Sequence, residues 1–189
     1  EKQLLDQQKE IEKINKKFEK QRLKFKILHG CESNILNDGS IDIKDDVLAQ
    51  LDYVIAGVHS SLKMEKTAMM TRLIKAMKNP NVDIISHPTG RLIGKRDEYE
   101  IDFDVILKIA KQTDTILEIN SSPQRLDLNG FYIRRAKAEG VKMIINTDSH
   151  YKDQLNLMEY GVGQARRGWA ECTDIINTLP VEKLLNYFK

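Results

Sequence analysis

Four histidines occur in this chain, and three of them, His59, His87 and His150, follow a short apolar run. Two carboxylates, Glu32 and Asp148, stand at the same kind of place, Asp148 two residues before His150 in Asn146-Thr147-Asp148-Ser149-His150. Taken singly, each histidine reads as an ordinary core or surface residue, since intermediate burial is its norm. Together they put three imidazoles and two carboxylates at the ends of strands. That donor set suits zinc, manganese or iron, and two or more such ions side by side suit hydrolysis of a phosphate ester. Glu32 and Asp148 are the residues expected to act most directly in catalysis.

The elements that must carry these residues follow from apolar patterning. Short runs at Phe25–Glu32, Tyr53–His59, Val82–Pro88, Thr115–Asn120 and Val141–Asn146 are apolar on both faces, as strands of a helix-covered parallel sheet are. Between them lie a short helix over 45–51, one over about 64–78 burying Met70, Leu73, Ile74 and Met77, one capped by Asp102 with Phe103, Ile106, Leu107 and Ala110 inward, and one from about Gly130 that Gly140 closes. Helical stretches over 152–158 and 173–188 are expected on either side of a Gly-rich segment. The alternation predicts an α/β fold, whose chemistry belongs at the carboxyl ends of the strands.

At 189 residues the chain is read as a single domain, 1–189, led by an amphipathic helix over 1–22. Leu4, Ile11, Ile14 and Phe18 make that helix's narrow apolar stripe, expected to pack on its own domain. Residues 1–26 carry a net charge of +4 and the rest −2, so the body is not a strongly basic nucleic-acid binder. No apolar run approaches the roughly 20 residues of a membrane span. Two cysteines, Cys31 and Cys172, give no disulfide framework, and a cytoplasmic, reduced setting is the expectation. His29 is expected to be structural, and Cys31 to be packing.

Several polar segments surround the expected site. Arg91, Lys95 and Arg96 follow His87 in a Gly-rich loop and suit a phosphate backbone. Arg125 is a second phosphate candidate, with Asp127 either orienting it or capping a turn. Arg166-Arg167-Gly168-Trp169 is either a cationic, stacking surface for a single strand or a packed Trp with flanking surface cations. Asn120 is left between a ligand and a backbone contact.

Gly30-Cys31-Glu32, Val58-His59-Ser60, Ser86-His87-Pro88-Thr89-Gly90-Arg91 and Thr147-Asp148-Ser149-His150 resemble, in order, the metal motifs of the PHP (polymerase and histidinol phosphatase) domain. His87–Arg91 and Glu118-Ile119-Asn120, followed by Arg125-Leu126-Asp127, resemble the version attached to bacterial family-X DNA polymerases. The resemblance runs from about Ile11 to the C-terminus. It implies a distorted seven-stranded (β/α) barrel with up to three Mn2+ or Zn2+ ions. Glu32, His59 and His87 would hold one ion, Glu32 would bridge to a second ligated by Asp148, and His150 would ligate a third. It further implies hydrolysis of DNA 3′ ends, single-stranded ones above all, in a 3′→5′ exonuclease, beside an N-terminal polymerase domain.

The family's opening His-x-His strand and the ligands after it have no counterpart here. The barrel is therefore expected to lack its N-terminal strands, the chain to be a piece of a longer protein with impaired nuclease activity, and the open edge to invite a homodimer. Two other functions fit the sequence: a phosphatase for histidinol phosphate or a similar small monoester, and a non-catalytic metal-binding docking domain.

Overall fold

A computed structural model describes residues 1–188. Helix α1 (Lys2–Lys20) is followed by β1 (Gly30–Asn34), α2 (Asp45–Leu48), β2 (Tyr53–Gly57), α3 (Lys66–Met77), β3 (Ile84–Ile85), α4 (Phe103–Thr113), β4 (Ile116–Asn120), α5 (Gly130–Glu139) and β5 (Met143–Asn146). A 3-10 turn over Lys152–Leu157 leads into α6 (Met158–Arg167), and α7 (Val181–Leu184) lies between two further 3-10 turns. The fold is α/β: five parallel strands in the order β1-β2-β3-β4-β5. A parallel sheet wound in sequence with right-handed crossovers keeps its helices on one face. The successive pairs α3–α4, α4–α5 and α5–α6 pack side by side accordingly.

Alternation along the strands divides the interior in two. Ala56, Ile85, Leu117, Ile119, Met143 and Ile145 point to the helices, where Met69, Leu73, Phe103, Leu107 and Ile133 meet them. Ile84, Ile116 and Ile144 point to the opposite face, which Ile176, Leu184, Tyr187 and Phe188 cover from the C-terminal segment. Asn177 extends the sheet with its side chain, its amide accepting from Ile145 N–H at 3.3 Å and donating to Ile145 C=O at 2.8 Å.

Local chemistry explains the helix ends. The Asp102 carboxylate caps α4 by accepting from Val105 N–H at 3.3 Å, and Gly140 closes α5 with a left-handed φ of 73°.

Four expectations are corrected. The first strand starts at Gly30 rather than Phe25, so Glu32 lies mid-strand. Helix α3 is rotated about its axis from the expected face: Met69, Arg72, Leu73, Ala76 and Met77 are buried, whereas Met70 and Ile74 are half-buried. The Gly-rich segment is itself helix α6, because Gly161 lies against Ser121 and Ile145, where a Cβ would come within 2.1 Å of Ser121 Oγ. The stretch 173–188 is not one helix, since Pro180 divides it.

Helix α1 buries none of its residues. It is tied to the chain after it by Asn15, whose amide pairs with Ile27 N–H and C=O at 2.9 and 2.8 Å, and by the Phe18–Phe25 edge contact. Among the described residues no helix is long and apolar enough to cross a membrane.

Candidate metal centre

Glu32 from mid-β1, His59 just past β2 and His87 just past β3 converge at the carboxyl edge of the sheet. Glu32 Oε1 is 3.2 Å from His59 Nε2 and 3.4 Å from His87 Nε2, and the two Nε2 atoms are 3.2 Å apart. Each residue offers a ligand atom within 4.8 Å of the others. Ligands about 2.0–2.1 Å from a tetrahedral cation stand about 3.3–3.4 Å from one another, so this triangle has the dimensions of one face of such a site.

The electrostatics agree with that geometry. The imidazole of His59, then that of His87, holds the Glu32 carboxyl well below the usual carboxylate range, with the Ser86 hydroxyl adding a hydrogen bond at 2.9 Å. His87 is buried, and burial pushes its pKa down, which keeps the imidazole neutral with a lone pair to give. Its Nδ1 is buried without a hydrogen-bond partner. The backbone at His87 is left-handed, with φ of 30°, a conformation that costs free energy and concentrates at functional sites.

Around the triangle stand residues that hold it. Asn34 Oδ1 lies 2.8 Å from His59 Nδ1, while Asn34 Nδ2 donates to Asp42 Oδ2 at 2.5 Å. Arg72, fully buried on α3, reaches the chain beyond both β1 and β2: its Nε and Nη2 donate to Ile35 C=O, and its Nη1 to Ser60 C=O at 2.9 Å.

Asp148 and His150 stand apart from the triangle. Asp148, also left-handed with φ of 52°, shares a cavity of about 480 Å³ with Glu32 and Glu118. Asn120 Nδ2 links it to Glu118, at 3.3 Å from Asp148 Oδ2 and 3.2 Å from Glu118 Oε2, while Asn120 Oδ1 accepts from Ser122 N–H at 3.0 Å, so the backbone contact is made. His150 is 72% exposed and turns its Nδ1 to Asp148 C=O at 2.9 Å.

Glu118, which entered the sequence reading only within the Glu118-Ile119-Asn120 resemblance and without a role of its own, is a further functional candidate. It is fully buried, accepts from His87 N–H at 2.7 Å and Asn146 Nδ2 at 2.8 Å, and burial pushes its pKa up to about 7. The available signal was a carboxylate within a strand covered on both faces, where a charge needs partners.

The cationic loop is largely occupied with its own structure. Arg91 Nε donates to Arg125 C=O at 2.8 Å and Nη2 to Leu126 C=O, and Arg96 Nε donates to Gly90 C=O at 2.8 Å. Lys95 is exposed and makes no ion pair among the described residues. Asp127 is buried and accepts from the amides of Thr89 and Gly90 at 3.0 and 2.9 Å, so it holds the loop rather than Arg125. Arg125 Nε is 3.8 Å from Asp148 Oδ2. His29 is buried before β1, outside the cluster, and Cys31 is half-buried with its thiol pKa raised by burial.

The fold and site define an α/β protein with a His/Glu metal-type cluster at the carboxyl edge of a parallel sheet. No family model matches the chain, yet individual proteins do. It is 45% identical over 186 residues to the DNA polymerase/3′-5′ exonuclease PolX of Bacillus subtilis, covering 98% of this chain and 32% of that protein. It is 36% identical over 133 residues to a probable phosphatase of Clostridium acetobutylicum, with 66% of this chain and 52% of that one covered. A probable phosphatase of Thermoanaerobacter sp. strain X514 is 32% identical over 175 residues, 86% of this chain and 68% of that one. The chain belongs to the PHP family, homologous to the PHP portion of a bacterial family-X polymerase. It spans about a third of the Bacillus polymerase and about half of the Clostridium protein.

Proposed function

We propose that this chain is a metal-dependent phosphoesterase domain that trims DNA 3′ ends in the 3′→5′ direction. The observation that carries the proposal is the triangle of Glu32 Oε1, His59 Nε2 and His87 Nε2, 3.2–3.4 Å on a side. A bound Mn2+ or Zn2+ supplies a lowered water pKa and charge neutralisation on phosphoryl oxygens.

The chain's own residues do the rest. Glu32, His59 and His87 would hold the first ion. Glu32 and Asp148, on the walls of one cavity, would supply part of a second site, and the exposed His150 one ligand of a third, so that one complete site is expected in this chain. Arg125, Lys95 and the remaining edge of Arg91 bind phosphate, while Arg96 and Asp127 fix the loop. The five strands are read as part of a distorted seven-stranded barrel in a single domain over 1–189. Similarity to the Bacillus enzyme along 98% of the chain favours DNA ends as the substrate; similarity to the phosphatases favours a small phosphomonoester as the second reading.

The test is bound metal per chain by elemental analysis, in the wild type and in a His59→Ala/His87→Ala double variant, under Mn2+- and Zn2+-replete conditions. About one ion in the wild type and none in the variant is expected, by ligand count. Equal metal content in the two would overturn the site. Release of nucleotides from a 3′-labelled single strand, compared with phosphate release from histidinol phosphate, then separates the two substrates.

A further inference from the structure

A second surface lies beside the metal cavity. A groove of about 550 Å³ runs between the 91–96 loop, the start of α5 and the end of α6, with Arg91, Arg134 and Arg167 in its walls and no acidic residue among those lining it. Arg134, Arg166 and Arg167 are exposed and make no ion pair among the described residues. At Arg91 and Ile93 the groove meets a second hollow along the loop, where Lys95 and Arg96 stand with the carboxylates of Asp97 and Glu98; the acid-free stretch is the first groove.

Two aromatic rings flank these cations. Phe131 lines the groove, and Trp169 is held next to Arg134, whose guanidinium carbon lies 3.6 Å from the ring centroid. Both rings are 65% exposed. Trp169 is fixed by a left-handed backbone with φ of 61° and by Lys137 Nζ, which donates to its C=O at 2.8 Å.

The groove meets the metal cavity through two residues. Arg91 in the groove wall donates to the carbonyls of Arg125 and Leu126, and Leu126 itself lines the groove. On the other side, the Arg125 guanidinium faces Asp148 in the cavity wall. Arg125 Nη1 is buried and has no hydrogen-bond partner, so a donor waits unpaired at the crossing.

We infer that this groove binds single-stranded nucleic acid, carrying the nucleotides that precede the end presented to the metal cavity. Cations without carboxylates follow a phosphate backbone, and exposed rings between them stack on bases of any sequence. An acidic peptide would satisfy the arginines and leave Phe131 and Trp169 in water. The direction of the strand rests on the function proposed above; the binding does not.

The experiment is fluorescence anisotropy with a labelled oligothymidylate of about 12 nucleotides, within the site sizes of single-strand binders. It is run across a salt series in EDTA, so that the metal centre and hydrolysis do not enter. The wild type is expected to bind. Arg134→Ala/Arg167→Ala is expected to bind at least about tenfold more weakly, with a log–log salt slope shallower by about 1.4, the loss of two single-strand phosphate contacts. Trp169→Ala is expected to lose about tenfold at unchanged slope, as for one stacked base. Thermal melts establish that the variants fold. No binding by the wild type, or wild-type binding by both variants, would overturn the assignment. So would an equal loss by the tryptophan variant toward polyglutamate. A metal-free wild type would overturn the proposed hydrolysis and leave this result standing.

Discussion

Removing the Asn34 amide should weaken metal binding without touching a ligand. The Asp42 carboxylate, as an anion, can only accept, so Asn34 must point Nδ2 toward it and Oδ1 toward His59. The 2.8 Å contact then places a proton on His59 Nδ1, so Nε2, which faces Glu32 and His87, is the nitrogen that would give its lone pair to a cation. In Asn34→Ala that orientation is lost, but no buried group is orphaned, because His59 is 34% exposed and water can take the N–H. The cost is therefore a net hydrogen bond, about 1 kcal/mol, and loss of a partner behind a metal-ligating histidine is typically worth about 10–100-fold in affinity. The exposed setting favours the low end, so the Zn2+ Kd should rise about tenfold, about 1.4 kcal/mol. Competition against a chromophoric chelator reads this directly, with a thermal melt to check the fold. A Kd within threefold of wild type would refute the tautomer argument.

Burial pushes the Asp127 carboxyl up to about 7 from 3.8. A raised carboxyl contributes stability that is full below its unfolded pKa and is lost as pH rises through the folded one. Asp127→Asn should therefore flatten the fall in stability between about pH 4 and 7, worth about 4 kcal/mol at most, in urea titrations run in chelator; an unchanged slope would count against the buried acid. Gly161→Ala should lower the urea midpoint by the equivalent of about 1–3 kcal/mol, since its Cβ would meet Ser121 and Ile145, and a neutral result would mean that α6 shifts freely.

Much of the candidate site was legible because ligand-type side chains and strand ends announce themselves together. His59 and His87 needed only an apolar run before them, and Asp102 and Gly140 are residues whose side chain or backbone does one local job. What the sequence hid depends on contacts between distant segments. Arg72 looks like an exposed helix cation until Ile35 and Ser60 offer it carbonyls. Gly161 looks like a helix breaker until Ser121 and Ile145 require a close approach. Glu118 looks like a strand residue until His87, Asn120 and Asn146 surround it. Arg91 and Arg96 look free until the carbonyls of Gly90, Arg125 and Leu126 are found within reach. The Pro180 break, by contrast, was there to be read.

The Arg72 clasp also bears on how the site opens. One side chain on α3 holds the chain just beyond β1 and β2, so its guanidinium cannot follow the helix outward and keep both carbonyls. Excursions in which α3 lifts from the sheet would then release the segments just beyond Glu32 and His59, while the β1–β2 ladder stays paired. Protection of α3 amides against hydrogen exchange and retention of an ion at the triangle are coupled through those segments, and a bound ion, by steadying them, would slow exchange in a helix that never touches it.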